Sequence, residues 1–283
     1  MATAPDSLPL AELESLAVEV AAEAARLIVD ERPEELGVER TKSSATDVVT
    51  VMDQRAQDLI RARLRAARPS DGFLGEEEGG SATSSELTWV VDPIDGTVNY
   101  LYGIPAYAVS VAAVVGDPAV PGEWTPVAGA VVDPERGRTF RARLGGGAWM
   151  SVAGAQAVRL GVGSQSDLAQ ALVGTGFGYE SGVRRWQAQV LADVIPHVRD
   201  LRRFGSAALD LCHVADGSLD AYFERGLNAW DMAAAALVVT EAGGVVSGLG
   251  TEPPSRAMVL AAAPGLHDAL CRRVAVAVGL ADG

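Results

Sequence analysis

Asp92 and Asp95 bracket the segment Asp92-Pro93-Ile94-Asp95, and Gly96-Thr97 follows directly. The preceding run from Leu87 to Val91 is apolar and β-favouring, which predicts a buried strand with Asp92 at its end. Pro93 removes a backbone donor and biases Asp92 toward extended geometry. Asp then Pro fits the first two places of a type I turn, which holds its first and fourth Cα atoms within about 7 Å. Two carboxylates confined in that way repel unless a proton or a cation lies between them. Hard oxygen ligands at a strand end suit Mg²⁺ or Mn²⁺ better than zinc. The alternative is a solvated surface turn, where Asp-Pro and Asp-Gly are common. Gly96 permits close backbone approach, and Thr97 is expected to cap a following helix.

Other acids fall at the expected ends of elements: Asp53, Glu76, Glu77 and Asp231. Asp53 follows Thr50 by three residues, which by itself fits a capping pair. Asp231 in the first turn of a helix favours the helix dipole, again a structural role. Glu76-Glu77-Glu78 between glycines reads either as a solvated loop or as a strand end beside a cation. Nucleophilic catalysis has poor candidates. No Gly-x-Ser-x-Gly elbow and no Gly-x-x-x-x-Gly-Lys loop occurs, and His197, His213 and His267 sit on expected helices as packing or surface residues. An acid pair could serve a glycosidase, but the neighbouring Gly-Thr suits phosphate better.

The elements that must position these acids alternate between helices and strands. Helices are predicted over 10–31, from residue 50 to Pro69, and over 206–215, 229–241 and 266–278; Trp186, Val190 and Val194 mark one more. Strands are predicted near 73–74, 87–91, 107–115, 127–132, 138–143, 172–177, 220–223 and 258–262, with Lys42 and Asp47 on a loop or short hairpin. Ser206 fits an N-cap. The pattern changes near residue 155, dividing the chain into 1–154 and 155–283. One antiparallel meander among alternating elements predicts a layered α/β architecture of mixed α+β character. The 283 residues can build real cores. A net charge of −14 argues against nucleic acid as the main partner, although Arg199, Arg202 and Arg203 could form a small basic patch. Cys212 and Cys271 have no metal-ligand spacing and read as free thiols in a reducing compartment. With no long apolar run and no basic leader, a cytoplasmic protein without a membrane span is expected.

Four ordered motifs make the reading specific. Asp92-Pro93-Ile94-Asp95-Gly96-Thr97-Val98-Asn99-Tyr100 resembles the first signature of the inositol monophosphatase family, and Trp230-Asp231-Met232-Ala233-Ala234 with Glu241-Ala242-Gly243-Gly244 resembles the second. Gly75-Glu76-Glu77, and Lys42 with Asp47-Val48-Val49-Thr50 and Asp53, match in order and spacing, so the resemblance runs from about Leu10 to Val278. Phosphatases that use an Asp-x-Asp-x-Thr nucleophile are a competing idea, but two residues separate Asp92 from Asp95 where that motif has one.

The resemblance implies an αβαβα sandwich of the inositol monophosphatase and sugar phosphatase type, with two or three Mg²⁺ ions for which Mn²⁺ could substitute. Glu76, Asp92 and the Ile94 carbonyl would hold a first ion, and Asp92, Asp95 and Asp231 a second. Glu76 would help hold a third through water, and most metal ligands fall in 1–154, with Asp231 in 155–283. Thr97, with Asp53 or with Glu76, would orient the attacking water, and the Gly96 and Thr97 N–H groups would receive phosphate. Asp95, Gly205, Ser206, Ala207, Glu224 and Asp231 would contact substrate, with Lys42 and Glu77 nearby. The implied activity is hydrolysis of myo-inositol 1-phosphate without a covalent intermediate, with Li⁺ inhibition and a homodimer. Fructose 1,6-bisphosphate, histidinol phosphate and adenosine 3′,5′-bisphosphate are rival substrates, and a partner-binding role in transcription or RNA maturation is a rival of another class. Glu78 and the Asn228-Ala229 pair before Trp230 depart from the family pattern and leave substrate preference open.

Overall fold

The computed structural model describes residues 8–34, 37–38, 40–41, 48–77, 84–153 and 155–282; Lys42, Asp47 and Glu78 lie outside them. Helix α1 (Leu10–Asp30) buries Leu13, Ala17, Val20, Ala24 and Ile28, the three-to-four-residue spacing of one helical face. A short hairpin, β1 (Arg40–Thr41) and β2 (Val48–Val49), leads into α2 (Val51–Ala67). Next come β3 (Gly72–Gly75), β4 (Leu87–Asp95) and the short helix α3 (Thr97–Tyr102). An antiparallel run follows: β5 (Ala108–Gly116), β6 (Trp124–Asp133), β7 (Arg138–Arg143), β8 (Ala148–Val152) and β9 (Val158–Arg159). Strands β3 to β9 form a seven-stranded sheet in sequence order, in which only β3 and β4 run parallel.

The later elements are β10 (Leu172–Thr175), α4 (Ser181–Val194), β11 (Asp200–Arg202), α5 (Ala207–Ala215) and β12 (Ala221–Glu224). They end with α6 (Ala229–Glu241), β13 (Val245–Ser247), β14 (Val259–Ala262) and α7 (Pro264–Asp282). Their five strands form a second, mixed sheet in the order β11-β10-β12-β14-β13.

Strand alternation assigns the layers. In β4, Trp89 and Val91 pack with Leu13, Val20 and Ile60 of α1 and α2, whereas Val90 packs with Met232 and Ala233 of α6. In β12, Tyr222 joins the α6 side, and Ala221 and Phe223 pack with Val190 of α4 and Leu270 of α7. The result is α1/α2, sheet, α5/α6, sheet, α4/α7: an αβαβα sandwich. A helix between two sheets must be apolar all round. Ala233 to Ala236 meet that need in α6, and their small size lets the helix come close to β6. At Gly129 a Cβ would sit 3.1 Å from the Ala234 Cα, so a side chain there would push the layers apart.

Two local expectations are corrected. No reversal occurs at Asp92: β4 runs on through Asp95, with an irregularity in its pairing to β5. Thr97 is not a cap; it is the first residue of α3, and Gly96, at φ 98°, takes the cap position. Strands β9, β11 and β13 went unpredicted because two or three residues carry no periodicity, and β8 because Gly145-Gly146-Gly147 reads as the end of the meander, whereas it turns the chain into one more antiparallel strand.

Candidate active site

The irregularity in β4 builds the centre of the site. Asp92 pairs with Ser110 and Asp95 with Ala108, so three steps on β4 face two on β5, the count of a β-bulge. In a regular strand, residues three apart point to opposite faces. The extra residue cancels that flip. Asp92 continues the face of Val90, and Asp95 lies opposite Ala108, which also packs on the α6 side. Both carboxylates therefore point toward the middle layer. Asp92 Oδ1 accepts from the Ile94 N–H (3.0 Å), which stabilises the bulge from within.

Helix α6 delivers the third carboxylate. Asn228 and Asp231 form a capping box, with the Asn228 N–H donating to Asp231 Oδ2 (2.6 Å). Ser110 ties the same turn to β5 through the Trp230 carbonyl (3.4 Å). Asp92, Asp95 and Asp231 each place a carboxylate oxygen so that all three lie within 4.8 Å of one another. Burial raises Asp92 and Asp231 well above the usual carboxylate range, and the charges of Glu76 and Asp95 raise both further. Asp95 is pushed up to about 6 by burial, against the opposing hydrogen bonds from Ser206 Oγ (2.6 Å) and the Ala208 N–H (2.7 Å).

A second set is built from α2 and α3. Asp53 Oδ2 accepts from the Thr50 N–H (2.8 Å) and hydroxyl (2.5 Å), closing a capping box at the start of α2. Asp53 Oδ1 faces the Thr97 hydroxyl (3.0 Å), which also lies 3.0 Å from the Ile94 carbonyl. Burial pushes Asp53 up to about 7 despite the opposing bonds from Thr50. Glu76 follows β3, pinned by its N–H to the Val91 carbonyl (3.1 Å), and its charge acts on Asp53, Asp92, Asp95 and Asp231 alike.

These groups open onto a cavity of about 660 Å³. Of the residues singled out from sequence, Glu76, Asp92, Ile94, Asp95, Gly96 and Thr97 line it, and so do Gly205, Ser206, Ala207, Glu224 and Asp231. Asp53 lies behind Thr97 and reaches the cavity only through that hydroxyl. Glu77 is buried outside the lining, its N–H bonded to Gln57 Oε1 (2.9 Å). Lys42 falls outside the described residues. None of the three histidines lines the cavity. Gly96 closes its floor: a Cβ there would meet the Ala106 and Gly205 carbonyls at 3.0 Å, and φ 98° already excludes most side chains. Sequence reasoning missed the lining residues Arg225, Arg256 and Tyr179, which sit in loops without a motif, and Asp210, buried on α5 behind the lining, where the charges of Glu224 and Asp95 act on it. Desolvation pushes the half-buried Glu224 up to about 7, and its Oε2 accepts from the Tyr222 hydroxyl.

The sequence model of the inositol monophosphatase family matches residues 10–278. The chain belongs to that family. It is 48% identical over 284 residues to the inositol-1-monophosphatase SuhB of Mycobacterium tuberculosis, covering 95% of this chain and 94% of that one. It is 36% identical over 234 residues to the Nus factor SuhB of Pasteurella multocida, covering 82% and 83%. Among solved structures, Mycobacterium tuberculosis SuhB superposes with a TM-score of 0.80 at 44% identity, covering 97% of this chain and all of that one. An inositol monophosphate-bound staphylococcal relative, SaIMPase-II, gives 0.72 at 25% identity, covering 96% and 98%.

As an inositol monophosphatase family member with such relatives, the chain is a phosphatase. The family is generally metal-dependent, and the donor set here fits: three mutually repelling carboxylates, Asp92 and Asp95 buried and Asp231 half-buried, with no cationic side chain between them. Among the described residues no helix is long and apolar enough to cross a membrane.

Proposed function

We propose that the chain hydrolyses phosphate monoesters with Mg²⁺, and that myo-inositol 1-phosphate is its substrate. The convergence of Asp92, Asp95 and Asp231 within 4.8 Å carries this reading. Those three, with Glu76 and the Ile94 carbonyl, would hold the ions; Mn²⁺ has the same preference for oxygen. When bound, the ions supply neutralisation of phosphoryl charge and a lowered pKa for water.

The remaining chemistry belongs to the side chains. The Thr97 hydroxyl donates its hydrogen bond to Asp53 Oδ1, which leaves its oxygen free to accept one from the attacking water, so that the water's proton passes to Thr97 as that of Thr97 passes to Asp53. Asp53, at about 7, is matched to a base working near neutral pH. Ser206 and Ala208 hold Asp95 in place by two bonds to its Oδ2, leaving Oδ1 for an ion or a substrate hydroxyl. Glu224, Gly205 and Ala207 line the wall where polyol hydroxyls would bind. No covalent intermediate is needed, because in-line displacement at phosphorus depends mainly on positioning and charge.

Inhibition by Li⁺, a homodimer, a cytoplasmic setting and a division of the chain at 154/155 belong to the same proposal. Phosphate release from a panel of sugar, polyol and nucleotide phosphates, with and without Mg²⁺, tests it. Faster turnover of histidinol phosphate than of inositol phosphate would overturn the substrate, and equal rates without Mg²⁺ would overturn the metal.

A further inference from the structure

The Glu224 carboxylate has a built seat, and half of it comes from the neighbouring strand. β10 pairs in parallel with β12, with Gly174 opposite Tyr222 and Thr175 opposite Phe223. One step further in the same register sets Gly176 beside Glu224. Residues two apart on a strand share a face, so Tyr222 and Glu224 project to the same side, next to the two glycines. The glycines leave a slot there. A Cβ on Gly174 would lie 3.1 Å from Tyr222 Cδ2, tight against the ring. A Cβ on Gly176 would overlap Oε1, Oε2 and Cδ of Glu224. The whole carboxylate thus occupies the space that a side chain at 176 would fill. φ at Gly176 is not positive, so the requirement there is room rather than backbone freedom.

Tyr222 completes the seat. It is fully buried, and its hydroxyl donates to Glu224 Oε2. Among the described residues Tyr222 is the one hydrogen-bond donor to this carboxylate. Two oxygens carry about four acceptor sites, so most remain for a ligand. Both Gly176 and Glu224 line the cavity, and Tyr222 lies behind them. A carboxylate fixed by packing and one phenol, with no cation spent on it, is a ready charge-assisted acceptor for a hydroxyl. We propose that Gly176 and Tyr222 are positioning residues for Glu224. The slot and the phenol set the carboxylate where it accepts from a substrate hydroxyl, and so make the site prefer a hydroxylated phosphate ester to a plain one. This rests on the reading of Glu224 as a contact for polyol hydroxyls.

The test compares myo-inositol 1-phosphate with phenyl phosphate, whose leaving group has no further hydroxyl, using the full chain with Mg²⁺. The measured quantity is the ratio of their kcat/KM values. In Gly176→Ala the displaced carboxylate loses its charge-assisted bond, and the ratio should fall about tenfold, mainly through KM for the inositol ester. Glu224→Ala should lower it by as much. The Gly176→Ala/Glu224→Ala double variant should match Glu224→Ala alone, because the added methyl then has nothing to displace. Tyr222→Phe keeps the ring in the slot and loses one bond, for a fall of about threefold. An unchanged ratio in Gly176→Ala, or single effects that multiply in the double variant, overturns the seat. An unchanged ratio in Glu224→Ala overturns the hydroxyl contact and the seat with it, and leaves the phosphatase reading standing. Release of phosphate from neither ester by the wild type overturns that reading too. Should Gly176→Ala fail to fold by circular dichroism, Tyr222→Phe decides, and an unchanged ratio there overturns the seat.

Discussion

At the start of α2, Thr50 and Asp53 form a reciprocal capping box; at the start of α6, Asn228 and Asp231 form another. In both, an acid at the third helical position accepts the backbone N–H of the cap residue. The surroundings then separate them. α2 packs on the outer face of the first sheet, where Asp53 turns its second oxygen to the Thr97 hydroxyl. α6 enters between the two sheets, where Asp231 meets Asp92 and Asp95. The comparison shows that capping and chemistry are not rival roles for one carboxylate. The cap fixes its orientation, and the layer into which the helix is inserted decides whether it faces a hydroxyl or other acids.

Substitutions that keep shape and remove charge should break this symmetry. The largest effect is expected at the acid cluster. Asp95→Asn and Asp231→Asn should each lower kcat by about 10³-fold, the upper range for losing one preorganised electrostatic group. Asp231→Asn should also raise the Mg²⁺ concentration for half-maximal rate, read from phosphate release across a Mg²⁺ titration. An unchanged Mg²⁺ requirement would remove Asp231 from the ligand set. Asp53→Asn should cost about 10²-fold in kcat, as for a lost general base. Its Mg²⁺ requirement should stay near that of the wild type, and the acidic limb of its pH–rate profile should disappear.

The pH dependence of stability sharpens the same contrast. Asp53 is raised from 3.8 to about 7, Asp95 from 3.8 to about 6, and Glu224 from 4.5 to about 7. A carboxyl with a raised folded-state pKa binds its proton more tightly when folded. Stability from that proton is complete below the unfolded value and is lost as pH rises through the folded one. Metal-free protein should therefore melt at progressively lower temperature as pH rises from about 4 to 7, whereas saturating Mg²⁺ should flatten the curve because cations replace the protons. Calorimetry with EDTA and with Mg²⁺ checks this; parallel curves would contradict it. The smallest effect belongs to the cap itself. Thr50→Ala should cost about 1 kcal/mol of stability, read from denaturant midpoints. It should also lower activity modestly, because Asp53 loses the hydroxyl that holds it.

Much of the scaffold was legible because helices announce themselves by period and cap. The bounds of α1, α5 and α6 follow from apolar spacing, Ser206 and the Gly243-Gly244 stop. The acid motifs were legible as residue types at fixed spacing. What failed was the local geometry between them. Asp-Pro suggested a turn, but pairing with β5 at Ser110 and Ala108 outweighs that local preference and keeps β4 extended through Asp95. Thr97 resembled a cap by residue type, yet its hydroxyl is claimed by Asp53, forty-four positions earlier. Arg225 and Arg256 carried no signal, since isolated arginines in loops look alike.

The order of residues determined which helices form, which carboxylates are available and which family the chain joins, because period, capping and motif spacing act over a few positions. Tertiary structure alone decided that a one-residue bulge turns Asp92 and Asp95 to the same face. It alone lowered α6 between two sheets to bring Asp231 beside them. The first outcome depends on pairing with a neighbouring strand and the second on packing partners more than a hundred residues away, where burial makes charge costly and proximity makes it useful.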